Sequence, residues 1–113
     1  MPDDRDVQVH LLPNLVPAEQ LAGGIAVVID VLRASTTSVH ALGAGCTAVR
    51  PCLEVEEARE LANGKRAGKV LLGGERGGSP LPGFDLGNSP REYTSKVCRG
   101  TTLVLTTSNG LPV

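Results

Sequence analysis

Aromatic side chains are almost absent from the sequence: Phe84 and Tyr93 are the only two among 113 residues, and there is no tryptophan. Proteins that bind single-stranded nucleic acid stack bases on several rings, so this mode of binding is excluded. Positive charge is not in excess either, since 11 lysines and arginines face 12 acidic residues, for a formal net charge of −1. A phosphate backbone is bound by a cationic surface, so we expect no nucleic-acid partner.

Cysteines and long apolar runs are also scarce. The three cysteines, Cys46, Cys52 and Cys98, are odd in number and lack C-x-x-C spacing, which argues against a disulfide framework or a zinc site. We expect all three to be buried as small apolar residues in a cytoplasmic protein. No apolar run reaches the roughly 18–20 residues of a membrane span, and the acidic N-terminus is unlike a signal peptide, so we expect no membrane contact.

The sequence contains an alternation of apolar strands and helices. The pattern predicts helices at 34–44, at 54–62 and after Ser89-Pro90, and strands at 7–12, 25–29, 47–50, 70–72 and 101–106. Residues 73–88 form a predicted loop rich in glycine and proline. Strands that alternate with helices indicate an α/β fold with a mostly parallel sheet. We expect residues 1–113 to be the N-terminal part of one such domain, because the next helix would follow the last strand.

Polar residues follow the predicted strands at the edge where parallel sheets bind their ligands. Four segments contribute them: Asp30, Arg33, Ser35 and Thr36; Glu75 and Arg76; Asp85 and Asn88; Thr106, Thr107 and Asn109. Arginines and hydroxyls near a helix start can bind an anion. Each segment taken alone also has a structural interpretation, as a helix cap, an internal ion pair or a turn. The carboxylates of Asp30, Glu75 and Asp85 are hard oxygen ligands and, beside a phosphate-like anion, suggest Mg²⁺.

Four motifs together resemble those of the 2-phosphosulfolactate phosphatase family. They are V-I-D-V-L-R-A-S-T at 28–36, L-G-G-E-R at 72–76, G-F-D-L-G-N-S-P-R-E-Y at 83–93 and T-T-S-N-G at 106–110. They occur in the order found in that family and span most of the chain. The last motif departs from the usual T-T-T-N-G-T at Ser108, which keeps a hydroxyl, and at Leu111-Pro112, which replaces the polar continuation.

The resemblance implies a Mg²⁺-dependent phosphatase that converts 2-phosphosulfolactate to sulfolactate and phosphate, a step that belongs to coenzyme M biosynthesis in some organisms. We expect the catalytic residues to be Asp30, Asp85 and Arg33, and the metal ligands to be Asp30, Glu75 and Asp85. The residues expected to bind the small phosphate or sulfonate substrate are Arg33, Ser35, Thr36, Arg76, Asn88, Thr106, Thr107 and Asn109. No D-x-D sequence follows the first buried strand, so we favour water over an aspartate as the nucleophile.

Two other functions stay open at this point. A chain with part of a site could bind anions without turnover, or could serve only as a partner-binding half-domain. An unfinished sheet leaves an unpaired edge and exposed apolar surface. We therefore expect a homo-oligomer.

Overall fold

The computed structural model describes residues 5–64 and 69–108. Its helices are α1 (Ala34–Gly43), α2 (Val55–Asn63) and α3 (Ser95–Cys98), with short 3₁₀ turns at Pro13–Leu15, Ala18–Leu21 and Pro90–Glu92. Its strands are β1 (Ala48–Pro51), β2 (Lys69–Arg76), β3 (Ser79–Pro80) and β4 (Thr101–Thr106). The α/β fold expected from the sequence is thus confirmed. None of the helices in the described ranges has the length and apolar character needed to cross a bilayer.

The four strands form one mixed sheet in the order β1-β4-β2-β3. β4 is parallel to both β1 and β2, whereas the two-residue β3 is antiparallel to β2. Pro51 ends β1, which pairs with β4 on one side, and an edge strand tolerates the missing N–H of proline. The central position of β4 explains its nearly complete burial, since a parallel strand between two neighbours is covered on both faces.

Two apolar clusters lie on opposite faces of the sheet, because alternate side chains of a strand point to opposite sides. One cluster joins α1 and α3 to the sheet through Ala41, Cys46, Leu71, Tyr93, Cys98, Leu103 and Leu105. The other joins α2 to the sheet through Cys52, Ala58 and Val104, with Phe84 and three aliphatic side chains at its margin. The sheet is therefore covered by helices on both faces.

Two predicted strands are wrong. Residues 7–12 and 25–29 are not strands, and their apolar side chains are exposed, with Ile25 at 95% and Ile29 at 80%. An apolar, β-branched run forms a strand only when another strand offers it hydrogen-bonding partners, and no strand within the described ranges pairs with these residues. The predicted loop at 73–88 is also wrong at its start, because β2 continues to Arg76 and turns back into β3.

Candidate active site at the carboxyl edge of the sheet

Arg76 lies where the carboxyl ends of β1, β2 and β4 meet. One of its terminal nitrogens, Nη2, donates to the Leu53 carbonyl oxygen at 2.7 Å and to Thr106 Oγ1 at 2.8 Å, while Nη1 donates to the Glu75 carbonyl oxygen at 2.9 Å. The parallel pairing of the three strands brings these partners to one edge. Arg76 is half-buried, and its planar group is held in one orientation by three neutral oxygens.

Glu75 fastens the turn after β2 to the end of β4. Its carboxylate accepts hydrogen bonds from the Gly78 N–H at 2.7 Å and the Ser108 N–H at 3.0 Å, with the Ser108 hydroxyl at 3.4 Å. Burial acts to raise the pKa of Glu75, but these hydrogen bonds and the Arg76 charge together hold it below its ordinary value. The carboxylate is thus kept ionised and already has several hydrogen-bond donors.

The glycines around Glu75 form a tight hairpin loop and permit a close backbone contact with β4. Gly77 and Gly78 both have positive φ, at 57° and 80°, and form the two-residue connection between Arg76 and Ser79, a hairpin loop that favours glycine. Gly74 has φ 147°, and a Cβ there would lie 1.9 Å from the Thr106 carbonyl oxygen. These glycines permit close contacts within the protein, which the sequence alone could not distinguish from close approach to a ligand.

Most of the motif at 83–93 is a structural brace. Asp85 Oδ2 accepts the Leu72 N–H at 2.8 Å, which ties this segment to the outer side of β2. Glu92 accepts the N–H groups of Gly87 and Ser89, each at 3.2 Å, as in a capping box. Tyr93 is fully buried and donates its hydroxyl to the Gly87 carbonyl oxygen at 2.6 Å. These contacts give a structural role to five residues of this motif: Asp85, Gly87, Ser89, Glu92 and Tyr93.

Asn88 and Thr107 are the exceptions at this edge. Both are buried, each with 9% of its surface exposed, and within the described part of the chain Asn88 Oδ1 and Thr107 Oγ1 have no hydrogen-bond partner. Asn88 is held in place through its backbone, because the fully buried Thr37 hydroxyl of α1 donates to its carbonyl oxygen at 3.0 Å. A buried polar atom without a partner costs free energy, which a bound ligand can recover.

The segment before α1 folds over the start of that helix. The Asp30 carbonyl oxygen accepts the Ser35 N–H at 3.1 Å, and the Arg33 carbonyl oxygen accepts the Thr37 N–H at 2.9 Å. The Thr36 hydroxyl donates to the Val31 carbonyl oxygen. Asp30 is half-buried and Arg33 is exposed. The hydroxyl of Thr36 therefore has a local structural role. The side chains of Asp30 and Arg33, in contrast, form no hydrogen bond with another described residue.

The three expected metal ligands do not form a cluster. In residues 5–64 and 69–108, no group of three or more His, Cys, Asp and Glu side chains is arranged to hold a metal ion. Glu75 binds the hairpin turn and Ser108, and Asp85 binds the backbone of β2. This arrangement does not fit a preformed magnesium site made by these carboxylates. Asn109, one of the expected substrate ligands, lies outside the described residues.

Comparison with known proteins identifies the family. A family model described as 2-phosphosulpholactate phosphatase matches residues 10–113. The chain belongs to the 2-phosphosulfolactate phosphatase family. Probable 2-phosphosulfolactate phosphatases are similar to it: the one from Symbiobacterium thermophilum is 50% identical over 97 residues, covering 86% of this chain and 42% of the relative. The one from Clostridium tetani is 45% identical over 105 residues, covering 93% and 45%.

The chain thus spans less than half the length of these curated relatives.

The sequence did not indicate that Thr37 and Tyr93 position residues of the candidate site. Thr37 follows two hydroxyl residues in the motif at 28–36, but only its full burial and its contact with Asn88, 51 positions away, separate it from Ser35 and Thr36. No short-range sequence signal carries that information.

A cleft of about 370 Å³ lies at the carboxyl end of β1, next to the groups described above. It is lined by Arg50, Pro51, Cys52, Leu53 and Glu57. Burial, followed by the charge of Glu57, raises the pKa of the Cys52 thiol, with a smaller opposing effect from Arg50. None of the expected site residues lines the cleft, but the carbonyl oxygen of Leu53 accepts hydrogen bonds from two of them, Arg76 at 2.7 Å and the Thr106 hydroxyl at 3.3 Å.

Proposed function

We propose that the protein is a magnesium-dependent phosphatase that hydrolyses 2-phosphosulfolactate to sulfolactate and phosphate, and that this chain carries its anion-binding edge. The relatives named above carry this activity in their names. In organisms that make coenzyme M, the reaction would belong to its synthesis. The observation that supports the proposal most directly is the pair of buried, unpartnered oxygens on Asn88 and Thr107.

Arginine side chains and uncharged polar side chains at this edge match the negative charge of the substrate. Arg76 supplies positive charge in a fixed orientation, and Arg33 supplies an exposed guanidinium at the start of α1. The Thr107 hydroxyl donates to a phosphate oxygen, and the Asn88 amide orients the neighbouring polar group of the substrate. Donors held in place before the reaction lower the cost of building negative charge in the transition state. Ser35, Thr36 and Thr106 complete the polar surroundings.

Proton transfer is assigned to Asp30. Asp30 is half-buried and its carboxylate has no hydrogen bond with a described residue, whereas Asp85 has one oxygen bound to the Leu72 N–H. Asp30 takes the proton of the attacking water or returns it to the leaving alkoxide as the ester bond breaks. The magnesium requirement is proposed from the family resemblance alone, because the three carboxylates are not clustered, and no step here depends on the metal.

Phosphate release tests the proposal. The chain is incubated with 2-phosphosulfolactate, with Mg²⁺ or with EDTA, and inorganic phosphate is measured over time. We expect release in Mg²⁺ and a loss of rate on the order of 100-fold for Thr107→Val, the size associated with one donor to a charged transition state. Thr102→Val is the matched control, because Thr102 is a half-buried threonine earlier in β4, and it should retain the rate.

A calorimetric titration with phosphate separates the remaining outcomes. Binding without release would favour an anion-binding module over an enzyme. Absence of both binding and release, in a chain shown by circular dichroism to be folded, would contradict the proposal. Equal effects of Thr107→Val and Thr102→Val would contradict the assigned role of the Thr107 hydroxyl.

A further inference from the structure

Two of the three cysteines lie side by side under one face of the sheet. Cys46 follows α1, and Cys98 is the last residue of α3. Both thiols are free and buried, with 6% of Cys46 and none of Cys98 exposed. They share an apolar cluster with Tyr93 and Leu103. Neither has a part in the phosphatase proposal, and the sequence predicted only that they fill space.

The backbone around the two cysteines is already joined. The Gly100 N–H donates to the Gly45 carbonyl oxygen at 3.0 Å, and a Cβ on Gly45 would lie 3.1 Å from the Arg99 Cα. Thr101 completes the contact, because its hydroxyl donates to the Cys98 carbonyl oxygen at 2.7 Å and lies 3.3 Å from Cys46 Sγ. The turn after α1 that contains Cys46 and the end of α3 that contains Cys98 are therefore held against each other in the folded state.

The Cys46 thiol also affects the protonation of the Cys98 thiol. Burial, followed by a hydrogen bond with Cys46, raises the pKa of the Cys98 thiol to about 11. A disulfide requires two cysteines whose backbones lie close together, and Gly45 and Arg99, the chain neighbours of Cys46 and Cys98, pack against each other. Cys52 is excluded as a partner, because it belongs to the cluster on the other face of the sheet, with Ala58 and Val104.

We propose that Cys46 and Cys98 form an intramolecular disulfide when the folded chain meets a low-molecular-weight disulfide such as oxidised glutathione. The Cys46 thiolate attacks the small disulfide, which releases one glutathione thiol and leaves a mixed disulfide on Cys46. The Cys98 thiolate then attacks Cys46 Sγ, which releases the second glutathione thiol. The protein loses two protons and two electrons, and one glutathione disulfide becomes two thiols.

Cys46 is the entry point because it is the more exposed of the two thiols. The high pKa of Cys98 slows the second step at neutral pH, so the cross-link forms faster at pH 9 than at pH 7. Once formed, it joins the end of α1 to the end of α3 across the segment that contains β1, α2 and β2. Closing so long a loop restricts the unfolded chain, so the oxidised protein unfolds at a higher temperature.

Mass spectrometry of the intact chain after incubation with oxidised glutathione tests the proposal. We expect the folded chain to lose the mass of two hydrogen atoms, and a peptide map without reduction to contain a Cys46–Cys98 link. Cys52→Ser is the matched control, since Cys52 is about as buried as Cys46, at 5% exposure, and it should form the same link. In Cys98→Ser we expect a glutathione adduct on Cys46 and no link.

Thermal unfolding with and without reductant supplies a second measurement. Oxidation should raise the melting temperature of the wild type and of Cys52→Ser by several degrees and leave that of Cys98→Ser unchanged. A link that appears only in urea, a link that includes Cys52, or a chain that keeps three free thiols while folded would each overturn the proposal. The measurements on the wild type and on Cys52→Ser decide whether the Cys46–Cys98 disulfide forms, even if Cys98→Ser does not fold.

Discussion

The contact between Gly73 and Tyr93 predicts that substitutions at these two positions have coupled effects on stability. A Cβ on Gly73 would lie 2.2 Å from the Tyr93 hydroxyl oxygen, 3.3 Å from its Cζ and 3.1 Å from Leu103 Cδ1. The tyrosine cannot move easily, because it is fully buried and donates to the Gly87 carbonyl oxygen at 2.6 Å. Gly73→Ala should therefore be harmful while the hydroxyl is present and much less harmful once it is removed.

The magnitudes follow from the two contacts. Gly73→Ala alone overpacks a fixed ring and should cost about 3 kcal/mol, the upper end for an added methyl in a packed core. Tyr93→Phe alone removes a hydrogen bond to a half-buried carbonyl and should cost about 1–2 kcal/mol. In the double variant the alanine methyl occupies the space of the lost hydroxyl. Only the contacts of about 3.1–3.3 Å stay tight, so we expect a coupling of about 2 kcal/mol.

Urea unfolding followed by far-ultraviolet circular dichroism gives the four free energies of unfolding, which is suitable because the chain has no tryptophan. Gly43→Ala is the matched control, since a Cβ there would meet nothing within 4 Å, and it should not couple to Tyr93→Phe. If Gly73→Ala and Tyr93→Phe add to within about 0.5 kcal/mol, as independent sites do, the packing argument for Gly73 is refuted.

Three further predictions concern the supports of the site. The depressed pKa of Glu75 stabilises the fold above the ordinary pKa of the unfolded chain, and this stability disappears as pH falls through the folded value. Glu75→Gln should therefore cost about 1–2 kcal/mol at pH 7 and less below about pH 4, measured by urea unfolding. Glu92→Ala should cost about 1 kcal/mol in the same assay. Thr37→Val should weaken phosphate binding measured by calorimetry, through displacement of Asn88, and Thr37→Ser should restore it.

The sequence predicted α1, α2, β1, β4 and the start of β2 because each has a local signature. The first helix carries apolar residues at helical spacing, the second has acidic residues at its start and Asn63-Gly64 at its end, and the strands are short apolar runs. The same rules failed for residues 7–12 and 25–29, which have equally apolar runs but are exposed. A strand depends on distant partners as well as on its own residues, so pattern alone cannot decide whether it joins a sheet.

The candidate site shows a similar division. The order of the polar segments predicted correctly that Arg76 and Thr106 meet at one edge, since the parallel strands end there. It could not predict that Glu75 would bind the Ser108 N–H or that Asp85 would bind the Leu72 N–H, because these partners lie 33 and 13 positions away in the sequence. The roles of Asp30, Arg33 and Asn88 in binding or catalysis stay predictions.

By itself, the sequence determined the family of the chain, its α/β class and the set of chemical groups available at the edge of the sheet. Residue types and local spacing are sufficient for these conclusions. Only the tertiary structure decided which of those groups are already engaged: Glu75, Asp85 and Tyr93 brace the fold, while oxygens of Asn88 and Thr107 are buried without partners. A hydrogen bond forms between a donor and an acceptor that folding brings within about 3 Å of each other, and that proximity is a property of the folded chain.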